Sequence, residues 1–258
     1  MMRASGKIVL CGVVLFVTGP ICIMLIAACN SGDVLAFPPT GLSLRWFAAV
    51  FFVESFRASF VVSSVIALSA TLASLLLGIP VAYALSRYRL PGGEYLRTLV
   101  TAPVIIPGIV VGLGLLRYFV IPLDLSVLLA LFLAHTALLI PYAVRVVGAS
   151  LENLRTDIEE AAVMLGASRL TAFATIVLPN IRNGIIAAFV LGFVTSFNHI
   201  PVSLFLTGPG VSTLPINMLS YMEVVYDPSI AALSSLLALS SIVIVVIAER
   251  LLGIFRYV

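Results

Sequence analysis

Six long runs of residues without a charged side chain dominate this sequence. They cover residues 8–32, 58–86, 98–116, 125–144, 183–222 and 228–248, with helix centres expected near 18, 72, 108, 134, 194 and 238. A bilayer core about 30 Å thick needs roughly 20 apolar helical residues to cross it, and every run is about that long or longer. Membrane barrel strands would alternate between apolar and polar residues, and these runs are continuous. We therefore predict an all-α membrane protein with six transmembrane helices.

The composition supports the same class. Hydrophobic types make up 62% of the 258 residues and charged types 10%, whereas a soluble domain is roughly 45–50% apolar and about 25% charged. A soluble globule could not bury this much apolar surface. Disorder is also excluded, because a disordered chain has low hydrophobicity and high charge. The net charge of +3 is small and the basic residues are dispersed, which argues against a nucleic-acid binder.

The distribution of Lys and Arg between loops predicts the orientation. If the N-terminus is cytoplasmic, eleven basic residues lie in inner segments and three in outer segments, and such an excess marks the cytoplasmic side. We therefore expect both termini in the cytoplasm. The inner residues are Arg3, Lys7, Arg87, Arg89, Arg97, Arg145, Arg155, Arg169, Arg182, Arg250 and Arg256, and the outer residues are Arg45, Arg57 and Arg117.

The three cysteines predict neither a disulfide nor a metal site. Cys11 and Cys22 lie in one helix, too far apart to form a bridge, and Cys29 stands near the outer face. No spacing typical of metal ligands occurs. Residues 26–29 also resemble a lipoprotein cleavage box, although the apolar run before them is longer than that of a signal peptide and five further runs follow.

Gly108 and Gly112, in the third run, match the small-xxx-small pattern that lets helices approach closely. We expect them to serve packing. Pro103, Pro107 and Gly114 lie in the same run.

The segment from Arg145 to Arg182 has the highest charge density in the chain. Thr156 and Glu159 have the spacing of a capping box, which predicts a helix start. Gly166 is expected to end that helix in a left-handed conformation, and Ser168 to cap a second short helix. The apolar residues expected to pack this helix–turn–helix are Met164, Leu165, Leu170 and Phe173.

Seven residues of this segment resemble the EAA loop of permease subunits from binding-protein-dependent ABC importers. They are Glu160, Ala161, Ala162, Gly166, Ile176, Leu178 and Pro179. The resemblance covers nearly the whole chain, because six helices with this loop between the fourth and the fifth are similar to the type I importer permease fold. It implies a first helix and outer loop at 1–56, a permease core at 57–250 and a cytoplasmic tail at 251–258. Residues 149–181 are called the EAA segment below.

In that family, the loop carries a coupling helix that docks on a cytoplasmic ATPase. The chain has no GxxxxGK(S/T) phosphate-binding loop, so ATP and Mg are expected on the partner, with no catalytic residue and no cofactor on this chain. The resemblance places this chain in the bacterial inner membrane and implies four kinds of partner. They are a second permease of different sequence, a dimer of the ABC ATPase, a periplasmic solute-binding protein and membrane lipid.

Two outer stretches, residues 37–46 and 206–215, resemble the second permease of spermidine/putrescine importers. Members that carry polyamines often have acidic residues in the fifth span, whereas residues 195–201 here contain none and no run has a carboxylate in its middle. The outer stretches predict a polyamine or related amino compound as solute, and the missing acidic residues argue against a polycation. A zwitterionic or anionic solute, such as an opine, an amino acid or an aminoalkylphosphonate, stays open as the alternative.

The candidate solute path consists of polar residues inside the runs, because intramembrane polar groups are costly and usually functional. His135 has two interpretations: a neutral imidazole bonded between helices, or a residue of the path. Asn198 and His199 favour the path, because the acidic positions of polyamine-type relatives fall there. The full candidate set is Thr195, Ser196, Asn198, His199 and His135.

Two other functional classes are disfavoured. An intramembrane enzyme needs a nucleophile with a base, or metal ligands, within the helices, and this sequence has two histidines and neither an HExxH nor a GxSxG motif. An ion-coupled secondary transporter would show intramembrane carboxylates or inverted repeats with broken helices. The first feature is absent from the middle of the runs and the second is not visible in the sequence.

Overall fold

The computed structural model describes residues 4–252, which form helices joined by short loops. Pairing of the β type within this range is limited to two isolated bridges, so the prediction of an all-α protein is confirmed. Arg3, Arg256 and most of the predicted tail lie outside the described residues. The helices are α1 (Ala4–Ala28), α2 (Arg45–Ala49), α3 (Glu54–Arg87), α4 (Gly93–Thr101), α5 (Gly108–Leu115), α6 (Ile121–Leu123), α7 (Val127–Glu152), α8 (Thr156–Met164), α9 (Arg169–Ala172), α10 (Leu178–Asn180), α11 (Arg182–Phe197), α12 (Leu214–Val224) and α13 (Ser229–Leu252).

Four helices are long and apolar enough to cross a membrane. These are α1 over Val9–Ala28, α3 and α7 over their full lengths, and α13 over Ser229–Arg250. They correspond to the first, second, fourth and sixth predicted spans. Two π-helical turns, Leu116–Val120 and Phe173–Val177, connect α5 to α6 and α9 to α10.

The third and fifth predicted spans are bent pairs of helices. The arms Gly93–Val104 and Gly108–Leu123 meet at 85°, and the arms Arg169–Asn180 and Arg182–Phe197 meet at 69°. Counting each pair as one span gives the six that the sequence predicts. The first bend falls at the expected centre of the third span. There Pro107 caps α5 with φ −56° and ψ 122°, and a proline offers no N–H to continue a helix through the break.

The chain divides into two compact units. The first contains the described residues up to 58 together with 217–243, and the second contains 59–216 and the residues from 244 onward. In the first unit, the buried Asn30 organises the outer loop. Its Oδ1 accepts from the N–H groups of Gly32 and Thr40, and its Nδ2 donates to the carbonyl of Val34 at 2.9 Å. This loop is therefore an ordered structure.

The second unit contains two clusters of buried apolar side chains, and each supports one of the regions described below. The inner cluster joins α3, α7 and α11 to the EAA segment through Leu75, Ala82, Ala143, Val144, Val147, Leu151, Val177, Ile181 and Ala188. The second cluster is formed by Ile66, Ala130, Leu131, Ala134, Val202 and Leu206.

Candidate functional site

The turn of the EAA segment forms as its sequence predicts. Gly166 has a φ of +95°, which a residue with a Cβ adopts at a cost. The N–H of Gly166 donates to Val163 O at 3.0 Å, and the N–H of the next residue donates to Ala162 O at 3.1 Å, which closes the end of α8. Ser168 Oγ accepts the N–H of Thr171 at 3.1 Å and caps α9. Both local predictions are confirmed.

The predicted capping box is wrong. Arg155 precedes the first residue of α8, Thr156, and no side chain caps the helix. Glu159 does not reach back, because its carboxylate is bonded to residues of α3. Asp157 instead pairs with Arg155 at the surface, and the hydrogen bond from Arg155 lowers the pKa of the Asp157 carboxyl below its ordinary value. The contacts of Glu159 with α3, which is distant in sequence, thus replace the predicted capping interaction within α8.

The segment presents an exposed apolar surface. Met164, Leu165 and Leu170 are 88%, 90% and 77% exposed, so the expectation that they pack is wrong for the described part of the chain. Phe173 does pack, with its ring 4.7 Å from that of Tyr83.

The seven EAA residues divide by exposure. Ala162, Ile176 and Leu178 are half-buried, and Leu178 packs on the inner cluster. Glu160, Ala161, Gly166 and Pro179 are exposed.

The buried side of α8 is attached to the end of α3 by polar contacts. Arg87 Nε lies 3.2 Å from Glu159 Oε2, and the two side chains are 9% and 10% exposed. Arg87 Nη2 also donates to the carbonyl of Leu154 at 3.0 Å. The hydroxyl of Tyr83 donates to Glu159 Oε1. These four residues are called the α3 anchor below.

The second region surrounds His135 in α7. Its ring is fully buried. Nδ1 lies 2.7 Å from Ser196 Oγ and Nε2 lies 3.0 Å from Ser203 Oγ. The ring centroid of His199 is 5.7 Å away. Both ring nitrogens of His135 therefore have partners, and Ser203 is a contact that the sequence did not reveal. Residues 135, 196, 199 and 203 are called the histidine cluster below.

The partners of Ser203 give the hydrogen bonds of the cluster a direction. Ser203 Oγ donates its one proton to the carbonyl of His199 at 3.0 Å, so it accepts from Nε2–H of His135. Nδ1 of a neutral imidazole then accepts from the hydroxyl of Ser196. The hydrogen bonds of His135 are thus satisfied without any net charge. This geometry matches the first interpretation of His135.

His199 and Asn198 are more open. His199 is half-buried, and its Nδ1 accepts from the N–H of Val202 at 3.4 Å. In a neutral ring Nε2 then carries the proton, and it has no hydrogen-bond partner among the described residues. Asn198 is exposed and its Nδ2 donates to Val194 O at 2.9 Å, which leaves its Oδ1 available. Thr195 is half-buried on the same helix.

The two glycines of the small-xxx-small pattern pack against the loop that carries His199. A Cβ on Gly108 would lie 3.0 Å from Pro201 Cβ and 3.3 Å from His199 Cε1. A Cβ on Gly112 would lie 2.5 Å from Val202 O. Their predicted role in packing is confirmed, although the neighbouring element is this loop and not another straight helix.

Comparison with protein families decides the class of the chain. Residues 41–256 match the family model described as a binding-protein-dependent transport system inner membrane component. The chain belongs to this permease family. It follows that the protein is a transport component of the inner membrane, as its apolar helices indicate.

Curated relatives match over most of the permease. The putrescine transport system permease protein PotI of Escherichia coli K12 is 32% identical over 230 residues, covering 86% of this chain and 81% of the relative. The spermidine/putrescine transport system permease protein PotC of the same organism is 28% identical, covering 89% and 87%. A sulfate transport system permease protein, CysT of Salmonella typhimurium, is 33% identical over 58% of this chain and 59% of its own.

Solved structures share the fold of the permease. A bacterial ABC transporter that imports alginate aligns with a TM-score of 0.64 at 17% identity, covering 98% of both chains. The MetNI methionine transporter in an inward-facing conformation aligns with a TM-score of 0.60 at 19% identity, covering 74% of this chain and 92% of that one.

Sequence reasoning missed the α3 anchor of the permease. The available signal was the pair Tyr83 and Arg87, which are four residues apart and so share one face of α3. Arg87 also closes an uncharged run, and its position there indicates orientation but no specific partner.

Proposed function

We propose that this permease is one half of the membrane path of an ATP-driven importer, with ATP and Mg²⁺ bound by a separate cytoplasmic ATPase. The observation that carries the proposal is the two-sided construction of α8. One side is held by the buried Glu159, and the other leaves Glu160, Met164 and Leu165 exposed. Exposed apolar side chains next to one another mark an interaction surface. The excess of basic residues in inner segments supports a cytoplasmic position for this surface and for both termini.

The proposed partners follow from this arrangement and from the family. The exposed surface of the EAA segment docks on the ATPase, a second permease of different sequence completes the path, and a periplasmic binding protein delivers the solute. Glu160, Ala161 and Ala162 face the ATPase in this proposal. Leu178 holds the second half of the segment on the inner cluster, and Ile176, two residues earlier, is half-buried. Gly166 sets the angle between the halves, and Pro179 lies just before the bend into α11.

The proposed solute is a small diamine of the putrescine type. The support is the similarity over most of the chain to permeases whose names specify putrescine and spermidine. Within the described parts of α3, α7 and α13, the acidic residues are Glu54, Glu152 and Glu249, near the helix ends. Asn198 and His199 offer neutral donors and acceptors. A cation that crosses a low-dielectric region needs a counter-charge, so in this proposal the partner permease or the binding protein supplies it.

The test is uptake of radiolabelled putrescine into proteoliposomes that contain the permease, its partner permease and the ATPase, with the cognate binding protein outside. We expect uptake that needs ATP and that unlabelled putrescine and spermidine suppress. Absence of putrescine uptake, with ATP-dependent uptake of a labelled amino acid or of sulfate in its place, would assign the alternative solute class. An ATPase that does not copurify with the permease would contradict the importer assignment itself.

A further inference from the structure

One buried carboxylate in the EAA segment is directed away from the proposed ATPase surface. Glu159 and Glu160 are neighbours on α8, and successive side chains of an α-helix point about 100° apart. Glu160 is exposed, whereas Glu159 is buried against α3. The short helix therefore contacts different elements with its two sides. The side of α8 that faces α3 carries the buried carboxylate of Glu159.

The end of α3 is attached to three parts of the EAA segment. Arg87 binds the chain before α8 through Leu154 O and binds α8 itself through Glu159. Tyr83 reaches α8 through Glu159 and reaches the π turn after α9 through the ring of Phe173. A guanidinium has several donors in a fixed planar geometry, so its two bonds hold α8 and the preceding chain in one arrangement.

The opposite part of α3 lies beside the candidate solute path. The ring of Phe60 is 5.6 Å from that of Phe197, which adjoins Ser196 and Asn198. Between the two ends, a Cβ on Gly192 of α11 would lie 3.1 Å from Thr71 of α3, so these helices are in close contact. One helix of 34 residues thus contacts both regions.

We propose that Glu159 is a positioning residue that transmits movement of the ATPase-bound EAA segment to α3, through its ion pair with Arg87 and its hydrogen bond from Tyr83. This inference rests on the proposed importer function. A buried ion pair is little screened by salt, so a displacement of α8 moves the end of α3 with it. When the pair is weakened, ATP hydrolysis continues while less of the motion reaches the path.

The experiment uses the complete importer in proteoliposomes with putrescine as the transported probe. Three quantities are measured for each variant: the ATPase that copurifies, ATP hydrolysis stimulated by the binding protein, and putrescine taken up per ATP hydrolysed. For Glu159→Gln we expect near-normal copurification and hydrolysis, with uptake per ATP reduced about fivefold, within the range that residues between coupled sites contribute. Asp157→Asn is the matched control, because it changes an exposed carboxylate on the same helix.

Two further variants separate transmission from folding. Tyr83→Phe removes one hydroxyl without changing charge, and it should lower uptake per ATP about twofold, in the same direction as Glu159→Gln. The exchange of charges, Glu159→Arg with Arg87→Glu, should restore uptake per ATP above either single variant. A purely structural role would lower the amount of assembled complex and leave uptake per ATP unchanged.

The proposal is overturned if Glu159→Gln and Tyr83→Phe keep the wild-type uptake per ATP, or if the charge exchange is no better than the single changes. The proposed function fails in a different way. Absence of putrescine uptake in the wild-type complex contradicts the solute. If the wild-type complex takes up putrescine and Glu159→Gln takes up less putrescine per ATP hydrolysed, the role of Glu159 is supported.

Discussion

The EAA segment and the histidine cluster belong to the same unit of the permease, yet they are stabilised by opposite chemistry. The segment uses a buried ion pair on one side and leaves three large apolar side chains exposed on the other. The cluster buries an imidazole between two hydroxyls and contains no charged partner. In the proposed function, charge is used where the permease must hold a moving part. Neutral hydrogen bonds are used in the histidine cluster, which contributes Ser196 and His199 to the proposed path.

The largest effect is expected at the packing of the cluster. Gly112→Ala should sharply reduce the amount of assembled complex, because the new Cβ would lie 2.5 Å from a backbone oxygen that cannot move aside easily. Crowding of a packed site costs about 1–3 kcal/mol. Gly114→Ala, on the same helix with no atom within 4 Å, is the control. Equal thermal stability of the two purified variants would show that this packing is loose.

The next effect tests the turn of the EAA segment. Gly166→Val should reduce uptake and stimulated ATP hydrolysis up to about tenfold while the protein still inserts, since a positive φ costs a residue with a Cβ roughly 1–2 kcal/mol. A Cβ there meets no atom within 4 Å, so the effect comes from backbone conformation alone. Gly148→Ala also enters open space but lies within α7, and it should behave like wild type. Normal hydrolysis and transport in Gly166→Val would remove the turn from the coupling mechanism.

A smaller effect should distinguish path residues from packing residues. Asn198→Leu keeps the bulk and removes the polar groups, and His199→Ala removes the available Nε2–H. Each should lower putrescine uptake a few-fold, because the loss of a hydrogen bond is worth about 0.5–1.5 kcal/mol. Uptake is measured per assembled complex. Unchanged uptake in both variants would show that these residues do not line the path. Poor assembly of the variants would indicate that the residues serve packing.

The smallest effect is expected at the exposed ion pair of α8. Arg155 holds the pKa of Asp157 below its ordinary value. The stabilisation is therefore present at neutral pH and is lost as the pH falls through that lowered pKa. Both groups are solvent-exposed, and surface pairs contribute little. Asp157→Asn should leave the melting temperature at neutral pH unchanged, unlike Glu159→Gln. A clear drop in the melting temperature of Asp157→Asn would show that the exposed ion pair also stabilises the permease, and that the two sides of α8 do not differ in this respect.

Local chemistry made much of the EAA segment predictable. Gly166 and Ser168 act on atoms within a few residues of themselves, so their types and spacing were sufficient. The predicted capping box does not form, because it depends on a residue whose partners are distant in sequence. Glu159 had two competing partners 72 and 76 residues away, and no local pattern weighs such contacts.

The membrane helices show the same division. Counting uncharged residues located the spans, because bilayer thickness sets their length. It could not give the 85° bend, since a proline such as Pro107 also occurs in straight or mildly kinked helices. The partners of His135 lie on another part of the chain, and only the packing of α7 against α11 and the following loop brings Ser196 and Ser203 to its ring.

The two bends also set the thickness of membrane that the permease fits. The apolar arms Gly108–Leu123 and Arg182–Phe197 each rise about 24 Å at 1.5 Å per residue, which is short of a hydrocarbon core of about 30 Å. A short span is accommodated by local thinning of the bilayer, at a cost of fractions of a kcal/mol per Å. Either arm alone matches a thinner bilayer best, so we expect uptake in proteoliposomes to rise as the acyl chains of the lipid are shortened.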